Sequence, residues 1–359
     1  MIAARLTQLR AKMREMDVDT FMVTLPENRR YISGFTGSAG WVFITQTAQK
    51  IASDFRYYEQ IKQQCPDFTL IEVRGKFEAM LTQVLAELGA RRVAVESDDL
   101  TYDTYRAYEA VLPAGITFVP TKDILREQRA VKDAGELAAI EKAVELTDRA
   151  ITTVRQMLRP GMTEKELAWK LEAEMRQSGA GRISFDLIVA AGPASAMPHA
   201  KPSDRPIRAG EPIVIDMGCT WDGYCSDLTR TLIIGEPDVQ FRAIYDTVLR
   251  AQQNAEAQIK AGIDGKQADA FARQVIADAG YGDKFGHGTG HGVGLAIHEL
   301  PVLSMLSEHV LKPGHVVTVE PGIYLPEWGG VRIEDMVVVG EAGVTILTAA
   351  SKDPVVPLR

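Results

Sequence analysis

The chain has 359 residues, of which 46% are hydrophobic and 25% charged, and at roughly 150 residues per domain this length predicts two domains. Its 40 Lys and Arg residues against 48 Asp and Glu residues give a net charge of −8, which argues against a nucleic-acid-binding protein because such proteins present basic surfaces. No apolar run reaches the ~18 residues that span a membrane, and charges at Arg10, Lys12 and Arg14 interrupt any signal-peptide core.

The first 125 residues alternate between helical and strand patterns. Helices are predicted at 2–16, 56–64, 78–88 and 101–111, and strands at 20–24, 41–45, 50–53 and 92–95. A Gly-rich turn at 34–40 separates the first two strands. Because strands alternate with helices, this region is expected to form an α/β sheet.

The pattern changes near residue 125, where a charged stretch precedes a long predicted helix at 133–158. We therefore expect two domains, 1–125 and 126–359. Thr163 and Glu166 have the spacing of a capping box, which predicts that a further helix begins there. The rest of the chain is rich in strand patterns, with two more helices predicted at 239–261 and 266–279. The expected fold class is α+β, with an α/β N-terminal domain followed by an α+β domain.

Two aspartates lie in the arms of a predicted hairpin. Asp222-Gly223 is a strong two-residue turn signal, and a loop of these two residues would pair Asp216 with Thr229. Asp227 is two residues from Thr229 and would share the face of Asp216, with Cα atoms roughly 7–8 Å apart. Apolar residues occupy both faces of the first strand, so the sheet is covered and the carboxylates would repel each other without a cation. This pattern favours a metal site over two solvated aspartates.

A segment with five glycines holds three of the six histidines. So many glycines disfavour a helix, so His287 and His291 do not form the helical pair of a zincin-type protease. A phosphate-binding loop is also disfavoured, because no Lys-Ser/Thr follows. Together with His298, the imidazoles indicate a site that uses them as ligands or in acid–base chemistry. His309 and His315 lie in a charged stretch and are expected at the surface.

Glu320 and Glu334 are poor strand formers in two apolar, β-branched runs. A two-residue loop at Gly329-Gly330 would place the two carboxylates on opposite faces of the hairpin. A bulge or a longer loop is therefore expected if both belong to one site. The neighbouring Asp335 is expected either to support the ligands or to lie at the surface.

Asp216, Asp227, His291, Glu320 and Glu334 form a set of one imidazole and four carboxylates, which suits a pair of hard divalent cations. The order and context of these residues resemble the pita-bread metallopeptidase family, the group of aminopeptidase P, prolidase and methionine aminopeptidase. The matching stretches are Asp216-Met217-Gly218, 226–231, 288–294, 320–324 and 332–335. The resemblance implies a pita-bread catalytic domain with two metal ions. Of the divalent metals, manganese is expected, with cobalt or zinc as alternatives.

Two other regions extend the resemblance. Pro198-His199-Ala200 matches a stretch that carries a substrate-binding histidine in proline-specific members. Residues 30–40 and 54–60 look like the creatinase-type N-terminal domain of bacterial aminopeptidase P-like proteins, a domain that methionine aminopeptidases lack. The resemblance thus implies a creatinase-like fold for 1–125, a pita-bread fold for 126–359, and a homodimer.

The activity implied by the resemblance is hydrolysis of the N-terminal Xaa-Pro bond of proline-containing peptides by a hydroxide that bridges the two metal ions. Glu320 would relay the proton of the attacking water to the leaving nitrogen. His199 and His298 would contact substrate and transition state, His287 would line the proline pocket, and Arg332 and Tyr324 would orient the acids and the substrate.

Three alternatives to an Xaa-Pro aminopeptidase remain. They are a prolidase that acts only on dipeptides, a metal-free creatinase-type hydrolase, and a non-catalytic peptide-binding module. The complete set of five ligand positions argues against the last two. The three cysteines, an odd number without a CxxC motif, favour a reducing cytoplasm over a disulfide framework. We expect a cytoplasmic protein without nucleic-acid or membrane partners.

Overall fold

A computed structural model describes residues 1–358, which divide into two compact units, 1–129 and the part that begins at Ala130. Both units combine helices with sheets, which confirms the predicted α+β class. None of the helices within 1–358 has the length and apolarity that a membrane crossing requires.

The N-terminal unit is built on a six-stranded sheet. Its strands are β1 (Thr20–Val23), β2 (Trp41–Thr45), β3 (Gln49–Ser53), β4 (Thr69–Glu72), β5 (Arg92–Glu96) and β6 (Thr117–Thr121). In the order β4-β3-β2-β1-β5-β6, the strand β2 runs antiparallel to both of its neighbours and the other pairs are parallel. The predicted α/β sheet is therefore present, with two edge strands that the patterns did not indicate.

Helices alternate with these strands. They are α1 (Ile2–Glu15), α2 (Pro26–Ser33), α3 (Tyr58–Gln64), α4 (Phe77–Glu87), α5 (Tyr102–Ala110) and α6 (Ile124–Ala130). Apolar side chains of α4 and α5, including Leu81, Leu85 and Tyr108, pack against the central strands in one buried cluster. Four of these helices match the predicted ones within two residues, whereas α2 and α6 were not predicted.

Helix α2 begins without a capping side chain of its own. Its first turn is bound instead by Glu96 at the end of β5, which accepts hydrogen bonds from the Thr24 and Leu25 amides at 2.6 and 2.8 Å and from Asn28 Nδ2 at 2.5 Å. Burial raises the pKa of Glu96 to about 7 against the opposing effect of these donors. A carboxylate distant in sequence thus supplies the helix N-cap.

The second unit contains four long helices and the remaining strands. Its helices are α7 (Ala134–Met157), α8 (Glu164–Gln177), α9 (Val239–Gln258) and α10 (Gly265–Asp278). Its strands are β7 (Ile188–Ala191), β8 (Ile213–Met217), β9 (Thr220–Trp221), β10 (Tyr224–Cys225), β11 (Leu228–Ile234), β12 (Gly290–Gly292), β13 (Glu299–Leu303), β14 (Val316–Val319), β15 (Gly322–Leu325), β16 (Gly329–Arg332), β17 (Asp335–Val339), β18 (Val344–Ile346) and β19 (Val355–Val356). Strands β18 and β19 each lie at the edge of a sheet.

These strands form two main sheets, β19-β11-β8-β7 and β13-β12-β14-β17-β18, and the hairpins β9-β10 and β15-β16. Helices α7 and α8 pack on the first sheet in one apolar cluster, and α9 and α10 pack on the second in another. The predicted capping box of Thr163 and Glu166 starts α8, which confirms that helix boundary.

His315 is 5% exposed, so the expectation that it lies at the surface was wrong, whereas His309 is exposed as expected. The imidazole Nδ1 of His315 accepts a hydrogen bond from the Lys312 amide at 3.2 Å. Burial, together with the charges of Lys132 and Lys312, lowers the pKa of His315 to about 4.

This buried base predicts a loss of stability in mild acid. The unfolded chain binds a proton near pH 6.5 but the folded chain only near pH 4. The contribution of the neutral His315 to stability is therefore complete above pH 6.5 and is lost progressively as the pH falls from 6.5 to 4. By this linkage we expect His315 to cost about 2 kcal/mol between pH 7.5 and 5. Urea unfolding of the wild type and His315→Gln at both pH values measures it. An equal pH dependence in the two proteins would refute the assignment, and His309→Gln is the exposed control.

Candidate metal centre

The first hairpin has the predicted register. Asp216 of β8 pairs with Thr229 of β11, and the short β9-β10 ladder continues the same register to the turn. Asp222 and Gly223 have φ values of 43° and 72°, as a type I′ turn requires. Asp227 lies in the gap between the two ladders and directly precedes β11.

The second hairpin places two glutamates opposite each other. β14 pairs with β17 and β15 with β16 in one continuous register, and the pair of Leu325 with Gly329 closes the hairpin. The loop therefore consists of the three residues 326–328, which confirms the expected longer loop. Because Glu320 and Glu334 occupy matching positions in the two arms, their side chains share one face.

His291 lies on β12, between β13 and β14. Glycines flank it because the neighbouring backbone is close: a Cβ on Gly290 would overlap the carbonyl of Thr318, and one on Gly292 the carbonyl of Leu300. Nδ1 of His291 is 3.0 Å from the Gly292 carbonyl. Since a carbonyl only accepts, Nδ1 holds the proton of the neutral ring and Nε2 keeps a free lone pair.

The structure brings the predicted ligands together. Nε2 of His291 is 3.6 Å from Asp227 Oδ2 and 3.4 Å from Glu320 Oε1. Asp227, His291 and Glu334 each offer one ligand atom, and these atoms lie within 4.8 Å of one another. Asp216 is bound to Arg332 through Oδ2 at 2.6 Å, whereas its buried Oδ1 has no hydrogen-bond partner among the described residues.

The electrostatics of the cluster fit bound cations. Burial, followed by the charge of Glu334, raises the pKa of Asp227 well above its usual range. Burial and then Glu320 do the same for the pKa of Glu334, and burial raises the pKa of Glu320. Crowded, desolvated carboxylates and the orphaned Asp216 Oδ1 are costly unless a cation compensates them. Four carboxylates and an unprotonated imidazole nitrogen are suitable donors for divalent metal ions.

Arg332 connects several of these groups. It is 3% exposed and donates to Asp216 Oδ2, to the Tyr324 hydroxyl at 2.9 Å and to Thr229 Oγ1 at 3.1 Å. Thr229 in turn donates to Glu334 Oε2 at 2.8 Å. Sequence reasoning missed Thr229 as a site residue, although its predicted pairing with Asp216 already placed it beside the ligands.

The other predicted histidines lie around the cluster. Nε2 of His287 is 2.8 Å from the Tyr324 hydroxyl. His298 is exposed, and its ring packs edge-on against His291 with centroids 4.3 Å apart. Partial desolvation of the imidazole by the groups around it, followed by the neighbouring His291 and His199, lowers the pKa of His298. His199 is exposed in its loop, so two imidazoles are accessible from solvent next to the ligand cluster.

Asp335 is fully buried, so the surface alternative for this residue was wrong. It accepts hydrogen bonds from Arg230 at 2.7 Å, Lys352 at 2.5 Å and Gln252 at 2.9 Å. Arg230 also donates to the backbone carbonyl of Glu334. Through Arg230 this network binds the backbone carbonyl of Glu334. Lys352 and Gln252 are distant in sequence, so no local pattern indicated that they belong to it.

Comparisons with known proteins agree with these observations. The profile described as "Metallopeptidase family M24" matches residues 138–341, and that described as "Creatinase/Prolidase N-terminal domain" matches residues 5–131. The uncharacterized peptidase YqhT of Bacillus subtilis is 41% identical over 352 residues, which are 98% of this chain and 99% of the relative.

Among the similar solved structures, two cover all or nearly all of the chain. The Xaa-Pro dipeptidase from Bacillus anthracis has a TM-score of 0.96 at 39% identity and covers 100% of both chains. The X-Pro aminopeptidase from Thermotoga maritima has a TM-score of 0.90 at 38% identity, over 97% of this chain and 100% of that chain. The resemblance noted from the sequence motifs is confirmed, as is the fold with a creatinase-type N-terminal part.

Because the carboxylates are crowded, we expect Asp227→Asn to raise thermal stability in the absence of metal and to remove the stabilisation by metal. In chelator-treated protein the substitution removes a repelling charge, and we expect a higher unfolding midpoint than in the wild type. With Mn²⁺ at about 100 times its Kd, the wild type should gain about 2.7 kcal/mol and the variant little. Thermal unfolding with and without Mn²⁺ measures both effects.

Asp246→Asn, which changes an exposed acid of α9, is the control and should keep the full response to Mn²⁺. If Asp227→Asn still gained as much from Mn²⁺ as the wild type, the cluster would not be the metal site.

Proposed function

The chain belongs to metallopeptidase family M24, and on that basis we propose that it is a metal-dependent Xaa-Pro aminopeptidase, which removes the residue that precedes an N-terminal proline. The observation that carries the proposal is the cluster of Asp227, His291 and Glu334, whose ligand atoms lie within 4.8 Å of one another, with Glu320 3.4 Å from His291. Asp216 adds a buried Oδ1 that has no hydrogen-bond partner within residues 1–358. The creatinase-type N-terminal part supports a proline-specific branch. Prolidase, which takes only dipeptides, is the second candidate, because a dipeptidase and an aminopeptidase are both among the similar structures.

We propose that Asp216, Asp227, His291, Glu320 and Glu334 hold two divalent ions. Carboxylate oxygens dominate the set, which favours manganese, with cobalt or zinc as alternatives. Bound there, the ions supply Lewis-acid polarisation of the scissile carbonyl and acidify the attacking water.

Glu320 is the proposed proton carrier. Its Oε1 faces Nε2 of His291 at 3.4 Å and accepts a hydrogen bond from Thr318 at 3.1 Å, so the carboxyl is held in one orientation. A carboxylate fixed in this way is placed to accept a proton and to return it. In this role Glu320 takes a proton from the water and passes it to the proline nitrogen.

The three further histidines are proposed to bind the substrate. The exposed His199 and His298 donate hydrogen bonds to the substrate carbonyl and stabilise the charge that develops on it. His287, held against Tyr324, lines the proline pocket, while Arg332 orients Asp216 and Tyr324. An Xaa-Pro bond has no N–H to donate, so recognition through the carbonyl and the shape of the ring suits this substrate.

The remaining parts of the proposal concern compartment and assembly. The three cysteines are buried and free, which fits a reducing cytoplasm. A homodimer follows from the family resemblance of the N-terminal part.

Peptide length separates the two candidate functions. We expect Ala-Pro-Pro to be cleaved after alanine with a kcat/KM at least tenfold above that for Ala-Pro, in a reaction that EDTA abolishes and Mn²⁺ restores. Ala-Ala-Ala is the control without proline. Chromatography of the released amino acids measures the rates. Cleavage of Ala-Pro alone would establish the prolidase alternative, and cleavage of neither peptide would contradict the proposal.

The role of His298 gives a second test. Because an imidazole that stabilises a developing charge contributes about 10²–10³ in rate, His298→Ala should lower kcat/KM for Ala-Pro-Pro by about 10². Metal content, measured by atomic emission, should remain at the wild-type level. His309→Ala, an exposed histidine of the same unit, should keep full activity. A His298→Ala protein as active as that control would exclude the role.

A further inference from the structure

The segment 285–289, which carries His287, contains two glycines and belongs to no helix or strand. Its backbone polar groups therefore need partners from elsewhere. Two charged residues on α10, Asp269 and Arg273, supply them. We infer that Asp269 and Arg273 are positioning residues that fix His287 in the site. The inference rests on the proposed function only in the substrate contact given to His287.

Arg273 binds the segment on both sides of His287. Its Nη1 donates to the Phe285 carbonyl at 2.8 Å and its Nη2 to the His287 carbonyl at 2.6 Å. The guanidinium also lies 4.2 Å above the centroid of the Phe285 ring. That ring packs edge-on against the His287 imidazole, with centroids 5.0 Å apart. Arg273 thus binds the backbone of His287 directly and also contacts the Phe285 ring that packs against its imidazole.

Asp269 holds the guanidinium and the end of the segment. Its two oxygens accept from Nε and Nη2 of Arg273 at 2.6 and 2.9 Å. The same carboxylate accepts from the amide and the hydroxyl of Thr289, each at 2.9 Å. The Thr289 carbonyl in turn accepts the amide of Glu320 at 2.8 Å, so this anchor reaches the backbone of a predicted ligand.

The Asp269–Arg273 pair is more buried and makes more contacts than an ion pair that only stabilises a helix. The Asp269 side chain is 1% exposed and that of Arg273 17%, so the contacts are shielded from water and screened little. The planar fork of arginine serves two carbonyls and two carboxylate oxygens at once, which the single ammonium of lysine does not reproduce. We therefore expect Arg273→Lys to preserve the charge but not the geometry.

α8 provides a matched comparison. Arg176 and Glu172 form the same kind of pair four residues apart at 2.7 Å, and Arg176 also donates to the Gly181 carbonyl. Their side chains are 46% and 24% exposed, and no site residue lies on the bound loop. Arg176→Lys therefore reports what the loss of such a pair does to helix stability alone.

The decisive experiment is a double-mutant cycle in the Mn²⁺-loaded full chain. With Ala-Pro-Pro, Arg273→Lys should raise KM at least tenfold and change kcat less than threefold, whereas Arg176→Lys should change KM less than twofold. In a His287→Ala background the effect of Arg273→Lys on KM should fall below twofold, because it acts through that side chain. An equal effect in both backgrounds would overturn the inference.

Hydrogen exchange tests the inference without any substrate. Amides in a peptide spanning 285–290 should exchange at least tenfold faster in Arg273→Lys than in the wild type, and at the wild-type rate in Arg176→Lys. If Arg273→Lys left this exchange unchanged, the inference would be wrong whatever the activity. If the exchange rose but no protein cleaved Ala-Pro-Pro, the proposed function would fail and the positioning of His287 would stand.

Discussion

Charge crowding around one imidazole is the constraint on which the second unit depends. Asp216, Asp227, Glu320 and Glu334 are brought into a covered site, where burial, followed by the charges of neighbouring carboxylates, raises the pKa of Asp227 and Glu334, and burial raises that of Glu320. Arg332 offsets part of this charge through Asp216. Divalent cations held by the proposed ligands would offset the remainder. The helices α7 to α10 and their two apolar clusters supply the framework that keeps the carboxylates together.

Three of the five proposed ligands lie where a sheet ladder is interrupted, whereas Asp216 and His291 lie within paired strands. Asp227 lies in the gap between β10 and β11, Glu320 between β14 and β15, and Glu334 between β16 and β17. The register continues across each gap, so the hairpins remain aligned while the ladder hydrogen bonds are interrupted. Interruptions of this kind re-aim side chains locally without moving the strands that hold them.

The parts that local chemistry determines were predictable from sequence. The Asp222-Gly223 turn fixed the pairing of Asp216 with Thr229, and the helices with strong apolar periodicity were placed within a few residues. Contacts between distant segments were not predictable. Helix α2 is capped by Glu96, about 70 positions away, and His315 pairs with the distant Val131 in an isolated bridge. The turn at 326–328 could not be located from sequence, because Glu327 rather than a glycine has the positive φ of 71°.

The backbone also decides which nitrogen of each site histidine is available. Nδ1 of His287 lies 2.8 Å from the Gly288 carbonyl, and Nδ1 of His291 lies 3.0 Å from the Gly292 carbonyl. In both cases the carbonyl of the following glycine holds the Nδ1 proton, so Nε2 of the neutral ring is the nitrogen that faces the site. Burial lowers the pKa of both rings and favours this neutral form. The repeated His-Gly pairs therefore do more than allow close backbone packing. The glycine carbonyls set the tautomer that leaves a free Nε2 lone pair on His291, the proposed metal ligand, and one on His287 for the Tyr324 hydroxyl.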